Sequence, residues 1–127
     1  TLDGKTWKKL RGQMEDGKRT LIFYWSPTCG HCKSALPELE QWYQKTQPDD
    51  LAIIDVGRAD SPSLKQDVAP IIEGYPWTHV MDVDRSIGRA LMARWTPTSY
   101  LVSAEGKIVD IRLGGNVDWG EWLSEGS

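Results

Sequence analysis

The chain alternates between short apolar runs and longer amphipathic stretches. "TLIFYW", Thr20 to Trp25, is apolar, aromatic or β-branched almost throughout and ends at Ser26-Pro27, the pattern of a buried strand. From Cys32 onward, Ala35, Leu36, Leu39, Trp42 and Tyr43 recur every three or four positions between Lys33, Glu38, Glu40 and Gln41. That spacing predicts a helix with one apolar stripe. Pro37 lies inside this helix and should kink it, because proline has no N–H to donate. The turn Gln47-Pro48-Asp49-Asp50 should end it. "LAIIDVG", Leu51 to Gly57, predicts a second buried strand, and two buried strands joined through a helix make a parallel β-α-β unit.

Farther on, Ser61 followed by Pro62 has the form of an N-cap with proline at the first helical position. The helix it starts should run toward Pro70 and break or bend there. "YPWTHVMDVD" reads as an irregular loop stretch with a short extended piece, and Ser86 to Trp95 predicts a helix with Ile87, Ala90, Leu91 and Arg94 as its repeat. Thr98 to Val102, a turn at Ala104-Glu105-Gly106, and Lys107 to Leu113 predict an antiparallel hairpin. Asn116 or Asp118 stands where it would cap a last helix carrying Trp119, Trp122 and Leu123. The fold class is therefore α/β, a central mixed β-sheet built as β-α-β then β-β-α and flanked by helices.

Length and charge narrow the function. A chain of 127 residues can bury roughly two thirds of its unfolded surface in one core, so one domain is expected over residues 1–127, its core at about 20–125. With 15 Lys and Arg against 18 Asp and Glu, mixed along the chain, there is no basic stripe for nucleic acid. The apolar runs "LIFYW" and "LAII" are far shorter than the roughly 20 residues of a membrane helix. The chain begins at Thr1 with no visible signal peptide, as expected of a mature form or excised domain from which a targeting segment or anchor was removed.

Both cysteines lie in "SPTCGHCKSALPE", Ser26 to Glu38. A structural staple is a weak reading, since closing so short a loop removes little chain entropy. A zinc or copper clip is an alternative, but such sites usually need four protein ligands and only His31 and His79 remain as conventional partners. The pair falls between the first strand and its helix, at the carboxyl end of a strand, where active sites collect in open α/β sheets.

Four features together resemble the thioredoxin superfamily: "FYWSPTCGHCK", the helix proline Pro37, "WTPTSYLV", and Gly114-Gly115 after the last strand. The likeness spans about residues 20 to 125, and "TPTSYLVSAEGKIV" is similar to the TlpA/ResA-like branch. The resemblance implies a thioredoxin fold and a thiol-disulfide oxidoreductase. It implies a cis peptide at Thr96-Pro97 facing the cysteines, where a plain loop turn is the ordinary alternative. It also implies that Trp25 flanks and shields the site, a role compatible with simply ending a buried strand. Trp25, Gly30, Thr96 and Pro97 are then the substrate-binding residues. The implied partners are protein thiols or disulfides and a further redox protein, with no nucleic acid and no organic cofactor, because the Cys29–Cys32 disulfide is itself the electron carrier. The expected setting is a monomer in the bacterial periplasm or cell envelope, touching the membrane only through an N-terminal anchor.

The chemistry of the residues agrees. Cys29, at the N-terminus of a helix, meets unpaired N–H groups and the positive end of the macrodipole, so its thiolate is favoured and it is the attacking sulfur. Cys32, one turn deeper, is the resolving thiol. His31 is the third catalytic candidate, as a cationic or hydrogen-bonding neighbour of the thiolate; the alternative is a solvated turn residue. Gly30 leaves room for substrate. His79 reads as a packing or surface residue, and Trp95, ending a helix, as core rather than groove. The chain also departs from the family. The buried acid that thioredoxins carry in the first strand is replaced by Phe23, and the glutamate of the maturation branch by Ala35, with Glu38 one turn on. "CGHC" matches protein disulfide isomerases better than reductases, leaving the direction of electron flow open. A metal-handling module on the same scaffold is the second hypothesis, and a redox-silent binding domain the third, against which the intact "CGHC" argues.

Overall fold

The computed structural model describes residues 4–124 and holds five strands and five helices in that span. The elements in chain order are α1 (Gly4–Arg11), β1 (Arg19–Trp25), α2 (Gly30–Thr46), β2 (Leu51–Arg58), α3 (Pro62–Ile72) and β3 (Thr78–Asp82). They continue with α4 (Ser86–Ala90), β4 (Thr98–Val102), β5 (Ile108–Leu113) and α5 (Trp119–Ser124). The strands form one sheet in the order β3-β2-β1-β4-β5. β1 is central, parallel to β2 and antiparallel to β4. This is the mixed sheet read from the hydrophobic pattern, with two additions.

The first addition is α1, which the sequence reading did not place. Leu10 on this helix, with Met14 just beyond it, is buried against Ile22, Tyr24, Val56 and Tyr100. The second is β3. "YPWTHVMDVD" is not a loop: Thr78 to Asp82 pairs in parallel with β2, from Ile54↔Thr78 to Arg58↔Asp82. Pro76 and the polar residues Thr78, His79 and Asp82 mask its strand character, and a partner strand supplies what local propensity does not.

Two further expectations are corrected. The helix expected over Ser86 to Trp95 stops at Ala90. Met92 then takes a left-handed backbone (φ 56°), and the Ala93 N–H turns back to the Gly88 carbonyl at 2.8 Å. Pro70 does not break α3, which continues to Ile72. The carbonyl Pro70 leaves without a helical donor is that of Gln66, and both residues are exposed, so water reaches it. α2 likewise runs unbroken from Gly30 to Thr46 with Pro37 inside. The caps are as read: the Ser61 hydroxyl accepts from Leu64 N at 3.1 Å, and Asp118 Oδ1 accepts from Glu121 N at 3.0 Å.

The sheet separates two cores. Leu21, Phe23 and Trp25 of β1 face α2, α3 and α5, meeting Cys32, Leu36, Leu39, Val68, Trp119 and Trp122. Ile22 and Tyr24, on the alternate positions, face α1 and α4. Strand alternation thus sends every second residue of one apolar run to a different core, which is why the run shows no polar face. The thiols belong to the first core.

Candidate active site

β1 ends at Trp25 and the chain turns immediately. The Cys29 N–H donates to the Ser26 carbonyl at 3.1 Å, and the Ser26 and Thr28 hydroxyls are 3.0 Å apart. Cys29 is therefore delivered as the N-cap of α2, with extended backbone (φ −95°, ψ 114°). Its sulfur occupies the place usually taken by a serine or aspartate oxygen, accepting the Cys32 N–H at 3.2 Å. Both cysteines are free thiols, Cys29 half-buried and Cys32 with no exposed surface.

This geometry separates the two thiols chemically. Burial raises the Cys29 pKa, but it is outweighed by hydrogen bonds from the Cys32 thiol, the Thr96 side chain and the backbone N–H groups of Cys32 and His31, so the thiol lies below its usual range. For Cys32 burial dominates, reinforced by the hydrogen bond to Cys29 and by the neighbouring sulfur's charge, and its thiol is pushed up to about 12. One sulfur is prepared to ionise and the other to stay protonated.

The Thr96–Pro97 peptide is cis. It stands over the thiols: the Thr96 carbonyl accepts from the Cys29 thiol at 3.4 Å. Gly114, in a left-handed backbone (φ 85°), donates its N–H to the Pro97 carbonyl at 2.8 Å. A Cβ on the next residue, Gly115, would come within 2.9 Å of the His31 carbonyl. The glycine pair therefore lets the chain after β5 brace both the proline loop and the first turn of α2, a closeness that any side chain would prevent.

The other expected site residues divide. Gly30 is exposed, and a Cβ there would meet nothing within 4 Å, so the space above the helix start is open. His31 is exposed on the first turn of α2; the groups around the Cys29 sulfur include its backbone N–H. Trp25 has no exposed surface, so it offers substrate no contact face in this structure. Its indole lies instead across Gly57, its partner on β2, where a Cβ would be only 3.1 Å from the ring. From there Trp25 Nε1 donates to Asp55 Oδ1 at 2.9 Å. Trp95, expected in the core, is 63 % exposed and directly precedes Thr96.

Asp55 was missed by the sequence reading. It is fully buried on β2, the register partner of Phe23, so a buried acid stands one strand away from the position where the family carries it. Trp25, Trp77 and His79 all converge on it: Trp77 Nε1 donates to Oδ2 at 2.8 Å, and His79 Nδ1 pairs with the same oxygen. His79 Nε2 in turn lies 3.0 Å from the Tyr75 carbonyl. Burial nevertheless holds the Asp55 pKa above the usual carboxylate range, against the lowering by these partners. The signal was available, since an aspartate inside "LAIIDVG" must be buried if the run is a central strand, and a buried carboxylate needs donors. Which donors it finds is not a local property.

A family model described as AhpC/TSA matches residues 1–111. Sporulation thiol-disulfide oxidoreductase A of Bacillus subtilis is 25 % identical over 100 residues, covering 77 % of this chain and 61 % of its own length. Thiol-disulfide oxidoreductase ResA of the same organism is 28 % identical over 117 residues, covering 89 % of this chain and 63 % of its own. The chain therefore spans somewhat under two thirds of the length of these relatives. The crystal structure of StoA from B. subtilis superposes with a TM-score of 0.75 at 24 % identity, over 87 % of this chain and 83 % of that one. It shares the thioredoxin-type sheet described above. Among the described residues no helix is long and apolar enough to cross a membrane, and no group of three or more His, Cys, Asp or Glu is placed to hold a metal ion.

Proposed function

The chain belongs to the AhpC/TSA family, and from that premise we propose that it is a thiol-disulfide oxidoreductase acting on protein cysteines through Cys29 and Cys32. The observation that carries this reading is the asymmetry of the two sulfurs: one caps a helix and is held toward its thiolate, the other is buried and held toward its thiol. In the reducing direction the Cys29 thiolate attacks a substrate disulfide, forming a mixed disulfide and releasing one substrate sulfur as thiolate. Cys32 then gives up its proton and attacks the Cys29 sulfur. The Cys29–Cys32 disulfide forms, the second substrate thiolate leaves, and two electrons have passed to the substrate. In the oxidising direction the same steps run backwards. The cysteine pair is the electron carrier, so no organic cofactor enters. The metal-handling alternative gains no ligand set from the described residues.

In this reading Gly30, Thr96 and Pro97 border the channel in which an extended substrate chain meets Cys29. The exposed His31 at its mouth tunes the thiolate, and Trp25 acts from behind by filling the floor of the site. Insulin reduction by dithiothreitol tests the activity. The protein should accelerate it, Cys29→Ser should abolish the acceleration, and Cys32→Ser should accumulate mixed disulfides; a wild type that fails to exchange overturns the proposal. The reduction potential against glutathione sorts the direction, an oxidising value marking an oxidant or isomerase and a low one a reductase. His31→Ala should shift that potential. The cell envelope is the proposed location, supported by the "TPTSYLVSAEGKIV" resemblance and tested by fractionation of the host.

A further inference from the structure

Charges that are mixed along the sequence are sorted by the fold. α1 and α4 pack against each other over the sheet face of Ile22 and Tyr24. Every charged residue of these two helices is basic: Lys5, Lys8, Lys9 and Arg11 in α1, and Arg89 in α4. The helices on the thiol face differ. There α2, α3 and α5 set Lys33, Lys45 and Lys65 against Glu38, Glu40, Asp67 and Glu121. A chain of net charge −3 therefore turns one cationic face outward.

The periodicity of α1 dictates which side of it carries that charge. Leu10 is buried and Trp7 half-buried against the sheet, so the helix spends its apolar side on the core. Lys8 and Lys9 stand on the other side and are exposed, as are Arg89 and, just past α4, Arg94. The acids flanking these helices are few. Glu15 pairs with Lys18 at 3.4 Å, Asp84 accepts the Ser86 N–H at 3.0 Å, and Asp16 lies beyond the end of α1. Asp82 is buried and takes its donors from inside the molecule.

Three features select what this face fits. No large apolar residue of α1 or α4 is exposed, so the face lacks the dry centre of a protein interface. Its aromatic rings are covered, Trp7 half-buried and Tyr24 and Tyr100 buried, which leaves nucleic-acid bases nothing to stack on. The cations are spread over two helices rather than gathered round a pocket, an arrangement that matches a plane of many anionic headgroups. Cys29 caps α2 on the opposite face, so a plane lying on α1 and α4 leaves the thiols turned away from it.

We propose that the α1 and α4 face docks the protein on a lipid bilayer rich in anionic headgroups, by charge and without insertion, with Cys29 held toward the aqueous side. The proposal goes beyond thiol exchange and does not depend on it.

Cosedimentation with vesicles tests it, using phosphatidylcholine alone or mixed with phosphatidylglycerol at low ionic strength. Binding should need the anionic lipid and should fall as salt is added, because screening shortens the reach of these charges. Lys8→Ser combined with Lys9→Ser should weaken binding about thirtyfold. Lys45→Ser combined with Lys65→Ser removes the same charge from the thiol face and should change it by less than about threefold. All four lysines are exposed, so both variants should keep the fold, which circular dichroism checks. Equal binding to neutral vesicles, no binding to anionic ones, or an equal loss in the two variants overturns the proposal. So does capture of polyglutamate or an oligonucleotide with anionic vesicles left unbound, since the occupant is then another polyanion. On the vesicle, Cys29 should react with iodoacetamide as fast as in the free protein; a blocked thiol overturns the orientation. Insulin reduction, run without vesicles, tells a failure of the thiol-exchange reading from a failure here.

Discussion

Asp55 and Asp82 are both buried carboxylates on the parallel half of the sheet, and they serve opposite faces. Asp82, at the end of β3, turns to the α1 and α4 side. It accepts the Tyr24 hydroxyl at 2.8 Å and the backbone N–H groups of Ile87 and Gly88 at 3.1 and 2.9 Å. Asp55, on β2, turns to the thiol side and accepts only side chains, from Trp25, Trp77 and His79. The first carboxylate fastens an element to the sheet through main-chain donors that mutation cannot remove. The second fastens the indole that lies behind the site, and each of its donors is a residue choice. Buried charge on one face thus sets where α4 sits, and on the other where Trp25 sits.

The largest effect expected of this division is chemical and confined to the thiol face. In the reduced protein at neutral pH, iodoacetamide should modify Cys29 and leave Cys32 nearly untouched, with a selectivity of about a hundredfold or more, read by peptide mass spectrometry. Because the Cys29 pKa is lowered, its reaction should fade only as the pH drops through that lowered value. The Cys32 thiolate should appear only as the pH climbs toward about 12. Equal labelling at neutral pH would remove the asymmetry on which the mechanism stands.

Next in size is Asp55→Ala, which leaves two buried indole N–H groups without their acceptor, at roughly 1–3 kcal/mol each. Denaturant unfolding should show the loss, and the reduction potential should move with it, since Trp25 is released. A change in stability without any change in potential would make Asp55 the equal of Asp82. Gly88→Ala comes third. A Cβ there would lie 2.5 Å from the Tyr24 hydroxyl, an overpacking expected to cost about 1–3 kcal/mol. Smallest is Tyr24→Phe, which removes one donor from Asp82 but leaves two backbone donors, for about 1 kcal/mol. Thiol exchange in this variant should match the wild type within about twofold, and a larger change would mean that the two faces are coupled through β1.

Much of this molecule is legible in order along the chain. "TLIFYW" and "LAIIDVG" announce their strands because residues buried on both sides leave no polar positions, and Ser61-Pro62 and Asp118 announce helix starts because capping is a matter of a few neighbouring residues. The environment of Cys29 is equally local, since a thiol at a helix N-terminus meets free N–H groups whatever its surroundings, whereas Cys32 is held toward its thiol chiefly by burial in the first core. β3 and Asp55 escape this kind of reading. The strand exists because β2 offers it hydrogen bonds, and the partners of Asp55 come from β1 and from residues more than twenty positions away. α4 ends early for a similar reason, since the chain must turn back over β4 to reach the cis Thr96–Pro97 peptide.

The sequence alone therefore determined four of the five strands, the caps of α3 and α5 and the place of Cys29 at a helix start, all of which are carried by residues close together in the chain. Only the tertiary structure decided that Trp25 is buried with its indole on Asp55 and that Trp95 stays exposed just before the cis Thr96–Pro97 peptide. Those arrangements depend on which strand lies next to which, and strand order is set by how the two cores pack on opposite faces of the sheet.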